Sequence, residues 1–181
     1  ETATTATSFP HAGPCSVDMD RQDDGIVDQI TEYTYDATGQ VVQIRIDWDA
    51  DGAPDAQEDF TFNAAGQELS WRLDIGVDGQ VDGSRASAYD TAGNRVDLLE
   101  GWMGEAGMEW TRMHTTFTPA GAPLTETVDI GDDGTIDRSM AHVYDSNGDE
   151  VEFTHDNGHD GTVDLRVTSV FSAPATLAWQ S

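Results

Sequence analysis

Apolar and polar residues alternate along most of this chain. Val42, Ile44 and Ile46 are separated by Gln43 and Arg45, Leu69, Trp71 and Leu73 by Ser70 and Arg72, and Val151 and Phe153 by Glu152. The same period of two runs through Tyr33 and Tyr35, Phe60 and Phe62, and His142 and Tyr144. That period belongs to a half-buried strand with one apolar and one wet face. Between the runs lie segments such as Asp36-Ala-Thr-Gly39, Asn63-Ala-Ala-Gly66 and Asp145-Ser-Asn-Gly148. An Asx residue at the first position and glycine at the fourth suit a type I turn closed by a positive-φ residue, so the spacing predicts short hairpins.

The hairpins recur. Gly25, Gly52 and Gly79 are 27 residues apart, Gly107 follows after 28, and Gly134 and Gly161 after 27 each. Ten residues after each stands an aromatic (Tyr35, Phe62, Tyr89, Phe117, Tyr144, Phe171). Fourteen after comes a second glycine (Gly39, Gly66, Gly93, Gly121, Gly148), and seventeen after an aliphatic (Val42, Leu69, Val96, Leu124, Val151). Four columns in phase define six units over residues 20–171, the sixth incomplete. The expected architecture is all-β: six 27-residue hairpin units in an antiparallel meander of 11–12 strands. Its single apolar face requires curling, closure or a partner. Residues 1–19, rich in Thr and Ala, read as an N-terminal arm, and residues 172–181 as a tail or final irregular strand.

Charge narrows the function. Among 181 residues there are 35 acids and 8 bases, for a net charge of −27. This argues against nucleic acid and anionic membranes as partners, since both need a basic face. No apolar run reaches the roughly 18 residues of a membrane helix. No signal peptide is visible, so a secreted form would already be mature. Such acidity fits disorder, salt adaptation or cation binding. The repeat order argues against disorder, and the placement of the acids bears on the rest.

Seventeen of the 35 acids fall at regular places in the loops joining successive hairpins. The second loop is fullest, with Asp47, Asp49, Asp51 and Asp55 around Gly52 and Glu58 at the twelfth place. This is the spacing of an EF-hand loop: oxygens at positions 1, 3, 5, 9 and 12, with glycine at 6 for the sharp turn. Calcium is a hard cation that takes six to eight oxygens, which such a loop gathers. The first loop offers Asp20, Gln22, Asp24 and Asp28, the third Asp74, Asp78 and Asp82, the fifth Asp129, Asp133 and Asp137, and the sixth Asp156, Asp160 and Asp164. Position 3 is glycine in the third, fifth and sixth loops, and position 12 is Thr31, Arg85, Met140 or Val167 outside the second. Weaker sites than in helical EF-hands are expected, with Kd about 10⁻⁴–10⁻³ M as in extracellular modules. Positions 1, 5 and 9 of the fourth loop are Trp102, Ala106 and Trp110, a joint loss that suggests one shared ligand elsewhere. Plain turn chemistry accounts for a glycine beside an aspartate, but not for aspartates at 1, 5 and 9 in five loops. Calcium ions are therefore expected along one edge of the sheet about 10 Å apart, with a gap at unit four.

The stretches Tyr33-Thr-Tyr-Asp-Ala-Thr-Gly39, Ala88-Tyr-Asp-Thr-Ala-Gly-Asn94 and Val143-Tyr-Asp-Ser-Asn-Gly148 resemble the YD or RHS-type hairpin repeat of bacterial surface and toxin proteins. The loops resemble the calcium loops of thrombospondin type 3 and integrin-type repeats. The resemblance implies a secreted or cell-surface repeat scaffold.

Other residues suggest partners. Trp102, Met103, Met108 and Trp110 cluster in unit four, as a recognition patch for sugar or protein or as a lid over the sheet. Cys15 is alone, so no disulfide within the chain is available. The histidine pair His155 and His159 is spaced for a metal on a helix, not on a strand or turn. No nucleophile elbow, phosphate loop or zinc motif is present, and the paired carboxylates lie in loops, so catalysis is not expected. The sequence reads as a calcium-binding structural scaffold, with head-to-tail assembly of copies as one expected use. The rival reading is an adhesin or lectin that uses the unit-four patch.

Overall fold

The computed structural model describes residues 13–171. It contains twelve strands in a single sheet, ordered as in the chain, and the order ends at β1 and β12, so the sheet is open rather than closed. The chain divides into two compact units, Glu1–Ala88 with Leu99–Trp110, and Tyr89–Leu98 with Thr111–Ser181.

In the first unit lie β1 (Ser16–Met19), β2 (Gln29–Tyr35), β3 (Val41–Asp47), β4 (Ala56–Phe62), β5 (Glu68–Ile75) and most of β6 (Gly83–Tyr89). Strands β7 (Arg95–Gly104) and β8 (Gly107–Phe117) contribute their facing ends to this unit and their other ends to the second. The second unit continues with β9 (Pro123–Ile130), β10 (Arg138–Tyr144), β11 (Glu150–Asn157) and β12 (Leu165–Thr168). Strand β1 falls inside the segment expected as an arm and pairs antiparallel with β2. The rest of that arm, residues 1–12, and the tail 172–181 lie outside the described residues.

The hairpin turns form as their sequences dictate. The amide of Gly39 donates to the Asp36 carbonyl at 3.1 Å, and the amide of Asp36 to the Gln40 carbonyl at 2.9 Å. Asp36 Oδ1 accepts the amides of Thr38 and Gln40 at 2.8 and 3.0 Å. Asp90, Asp145 and Asn63 accept the corresponding pairs of amides. Gly39 has φ +87°, where a Cβ would be strained, and a one-residue register shift at Thr34/Tyr35 marks the bulge this creates. Bonding to the charged carboxylate favours ionisation. The Thr38 hydroxyl and the Gln40 amide thus hold the Asp36 carboxyl below its usual range, as the Asn94 side chain and amide do for Asp90.

One sheet layer buries little. Among the described residues only Ala56, Trp71 and Val128 are buried apolar side chains. In the first unit the packing centres on Trp71. Its indole N–H donates to Glu58 Oε2 at 2.8 Å, and the Arg85 guanidinium lies 5.4 Å from the ring centroid. Trp102 leans on Trp71 at 5.3 Å between centroids, and both indoles cover Gly83. Arg85 also makes a two-pronged pair with Glu68 at 2.8 and 3.0 Å. In the second unit His142 takes the place of a core aromatic, tilted against Phe153 at 5.1 Å and stacked near Tyr144 at 6.5 Å. Arg112 there bridges Asp97 and Asp132 at 2.8 and 2.7 Å.

A Cβ at Gly83 would stand 2.9 Å from Trp71 and 3.0 Å from Trp102. Gly83→Ala should therefore destabilise by about 1–3 kcal/mol, the usual range for overpacking, as read by urea unfolding. Asp36 supplies a pH dependence. Its lowered folded-state pKa means that its stabilisation is present above the unfolded value, about pH 4, and is lost as pH falls through the folded value. The difference in Tm between the parent and Asp36→Ala should be full at pH 6 and shrink steadily below about pH 4; an undiminished difference at pH 2 would refute this assignment.

Candidate metal centre in the aspartate loops

The five acidic loops share one hydrogen-bond frame. In the second loop, Asp47 Oδ1 accepts the amide of Asp51 at 3.2 Å and Oδ2 that of Gly52 at 2.8 Å. Asp55 Oδ2 accepts the amide of Trp48 at 2.7 Å, and Asp51 Oδ1 that of Ala53 at 2.8 Å. The Asp55 amide closes the loop on the Ile46 carbonyl at 2.7 Å. The same bonds are made by Asp20, Asp24 and Asp28, by Asp74, Asp78 and Asp82, by Asp129, Asp133 and Asp137, and by Asp156, Asp160 and Asp164.

This frame corrects one sequence argument. Aspartates at positions 1, 5 and 9 each capture backbone N–H groups that a tight loop would otherwise leave bare, so turn chemistry does account for all three. The first aspartate of the loop is buried at Asp47, Asp129 and Asp156. Burial pushes the Asp47 carboxyl up, but the amides of Gly52, Asp51, Asp49 and Ala50 outweigh it and hold the group below its usual range. At exposed Asp20 the Gly25 amide leads the same downward shift.

Position 3 divides the loops. Glycine stands there with positive φ in three: Gly76 at +81°, Gly131 at +103° and Gly158 at +105°. In the first and second loops Gln22 and Asp49 occupy the same place without positive φ. The glycines thus reflect a different backbone path as well as a missing side chain. The Gly76 and Gly158 amides donate to the carbonyls of Asp55 and Asp137 in the preceding loop at 2.5 and 2.6 Å.

Only the second loop gathers carboxylates. One oxygen each of Asp47, Asp49 and Asp55 lies within 4.8 Å of the others, the one such group among the described residues. With metal–oxygen distances of about 2.3–2.6 Å, that spread fits three ligands of one calcium ion. Asp47 is buried, Asp55 half-buried and Asp49 exposed, so the group opens to solvent. Glu58 stands apart. Past Asp55 the chain is strand rather than helix, rising about 3.3 Å per residue, and it carries Glu58 to the Trp71 indole. Asp51 is outside the group as well.

The fourth loop is a different structure. Strands β7 and β8 run on to Gly104 and Gly107 and are joined by Glu105-Ala106. The joint loss of aspartates there follows from replacing the long loop by a tight hairpin, and so does not by itself report a shared ligand. Trp102 and Met103 are exposed, while Met108 and Trp110 are half-buried, with the Trp110 ring lying over Gly101. Of the histidines, His155 is on β11 and His159 in the sixth loop, its Nδ1 3.0 Å from Ser139 Oγ.

Sheet and loops together define an all-β hairpin-repeat protein with acidic connections. No known protein family matches the chain, nor does any curated protein. Among solved structures it is similar to a chain in the Photorhabdus luminescens Tc holotoxin pore, with a TM-score of 0.47 and 12% identity. The match covers 78% of this chain and 9% of that one.

Position 4 of every acidic loop is left-handed without being glycine: Asp23, Ala50, Val77, Asp132 and His159 have φ between +47° and +56°. For β-branched Val77 this is strained. Val77→Asn should raise stability by about 1 kcal/mol, since asparagine tolerates the left-handed region; an unchanged or lower Tm would show the strain to be absent.

Proposed function

We propose that the aspartate loops bind Ca²⁺ and that the protein is an extracellular structural repeat scaffold stiffened by that ion. The convergence of Asp47, Asp49 and Asp55 carries the reading. The other four loops, with the same frame and fewer carboxylates, are the weaker sites, completed by water or carbonyls. A net charge of −27 sets the loops against one another until cations neutralise them. Millimolar calcium outside the cell is the setting that suits loops of this class. The carboxylates are committed to backbone amides rather than opposed in a cleft, and we read the role as mechanical rather than catalytic. Copies of the chain are the partners that suit such a scaffold.

Ion binding acts through linkage: a ligand that binds the folded state alone adds RT ln(1 + [L]/Kd), about 1.4 kcal/mol per site at tenfold saturation. Thermal melts by circular dichroism in chelator, in about 5 mM CaCl₂, and in chelator with molar NaCl test this. Calcium should raise Tm well above either chelator condition, and Asp49→Asn should remove the largest single part of the gain. Equal stabilisation by NaCl, or none by calcium, would make the aspartates turn formers on a salt-adapted surface.

A further inference from the structure

Strand β1 repeats the geometry of a second strand in a hairpin unit. Its register on β2, with Ser16 facing Glu32 and Met19 facing Gln29, is that of β3 on β4, where Gln43 faces Asp59 and Ile46 faces Ala56. Strand β12 repeats the geometry of a first strand. Its register on β11, with Thr168 facing Glu152 and Leu165 facing His155, is again that of β4 on β3. Among the described residues, the two edges of the sheet are therefore the two unmatched halves of one hairpin unit.

We propose that β12 of one copy pairs antiparallel with β1 of a second copy, rebuilding that unit across the joint; the inference rests on the scaffold reading and names its contact. The register follows from the hairpin pair β2–β3, in which Ile30 faces Asp47, Thr31 faces Ile46, Glu32 faces Arg45 and Tyr33 faces Ile44. Transferred by the repeat, Arg166 faces Asp20 of the second copy, Val167 faces Met19, Thr168 faces Asp18 and Ser169 faces Val17. The polar face then sets Arg166 of β12, which lies 3.6 Å from Glu152 of its own sheet, against Asp20 just past β1, with Asp18 of β1 beside it. The apolar face covers Val167, Met19 and Val17, which are 47%, 41% and 39% exposed. The alternatives are disfavoured by the same residues. Two β1 strands would oppose Asp18 and Asp20 with their own kind, two β12 strands would bring Arg166 against Arg166, and like charges directly opposite destabilise a pair. An open edge strand leaves a row of backbone donors and acceptors for such pairing, and the contact is heterologous, so it propagates.

Facing residues of an antiparallel pair have Cα atoms about 4.5–5.5 Å apart, within disulfide reach. In a Cys15→Ala background, Met19→Cys and Val167→Cys chains are prepared separately, mixed in CaCl₂ and mildly oxidised. The mixture should give disulfide dimers in several-fold excess over either variant alone, and a chain carrying both substitutions should give a ladder of multimers. No excess in the mixture, or a doubly substituted chain that closes on itself as a monomer, would overturn the proposal. Far-UV circular dichroism establishes that each variant folds; where one does not, Asp18→Cys with Thr168→Cys reads the neighbouring pair. The calcium melts above separate the two readings. Calcium stabilisation without cross-linking removes the joint and leaves the ion sites, whereas cross-linking without calcium stabilisation does the reverse.

Discussion

Everything in this fold depends on how the chain reverses direction without leaving backbone groups bare. Most strands of this meander run seven or eight residues before the chain turns, and each turn takes several amides out of the ladder. The chain meets this with carboxylates. Asp36, Asp90 and Asp145 accept two amides apiece in the tight turns. Asp47 and its counterparts do so in the long loops, with a second aspartate eight residues later bonding back to the loop's start. An ionised acceptor makes stronger bonds than a neutral one. The acidity that looks excessive in composition is, at these positions, the means by which the loops hold their shape.

The rest of the stability is spread thinly. No described side chain is fully buried, so there is no deep core. Local stacks replace it. Trp71, enclosed by Trp102, Arg85, Glu58 and Gly83, makes one polar bond, one cation–π contact and one ring contact at once. His142 plays the same part in the second unit with Phe153 and Tyr144, while Glu126 and Glu150 lie 3.7 and 3.4 Å from its ring nitrogens. Cross-strand pairs of this kind are the units from which a sheet is stabilised.

Much of this was legible in the sequence because it is periodic. Alternation gave the strands, the 27-residue spacing gave β2 to β12 but not β1, which lies in the segment expected as an arm, and the Asx and glycine positions gave the tight turns with their positive φ. What failed to show was anything that depends on three-dimensional path. Glu58 occupies the twelfth place of a calcium loop by count, but a strand rises too fast to return it to the loop, and it serves Trp71 instead. The third-position glycines look like deleted ligands, yet they adopt a conformation that Gln22 and Asp49 do not. The fourth loop looks like a site stripped of its aspartates, when it is a tight hairpin extending β7 and β8. Counting residues also could not show that the aspartates at positions 1, 5 and 9 have backbone work of their own.

That backbone work leaves the carboxylates chemically open to a second role. A carboxylate oxygen has more than one lone pair, so a bond to an amide does not exclude a cation. In the second loop the amides of Asp51, Gly52 and Trp48 already fix Asp47 and Asp55 in place, so little side-chain freedom remains to be lost when a cation arrives. The amides of Gly52, Asp51, Asp49 and Ala50 favour the ionised form of Asp47 although it is buried, and Asp49 and Asp55 stand beside it. A loop built in this way is preorganised, and affinity gained by preorganisation requires no helix and no twelfth-position glutamate. The acidic loops are thus first a solution to backbone geometry, and the grouping of Asp47, Asp49 and Asp55 in the second loop is built on that frame.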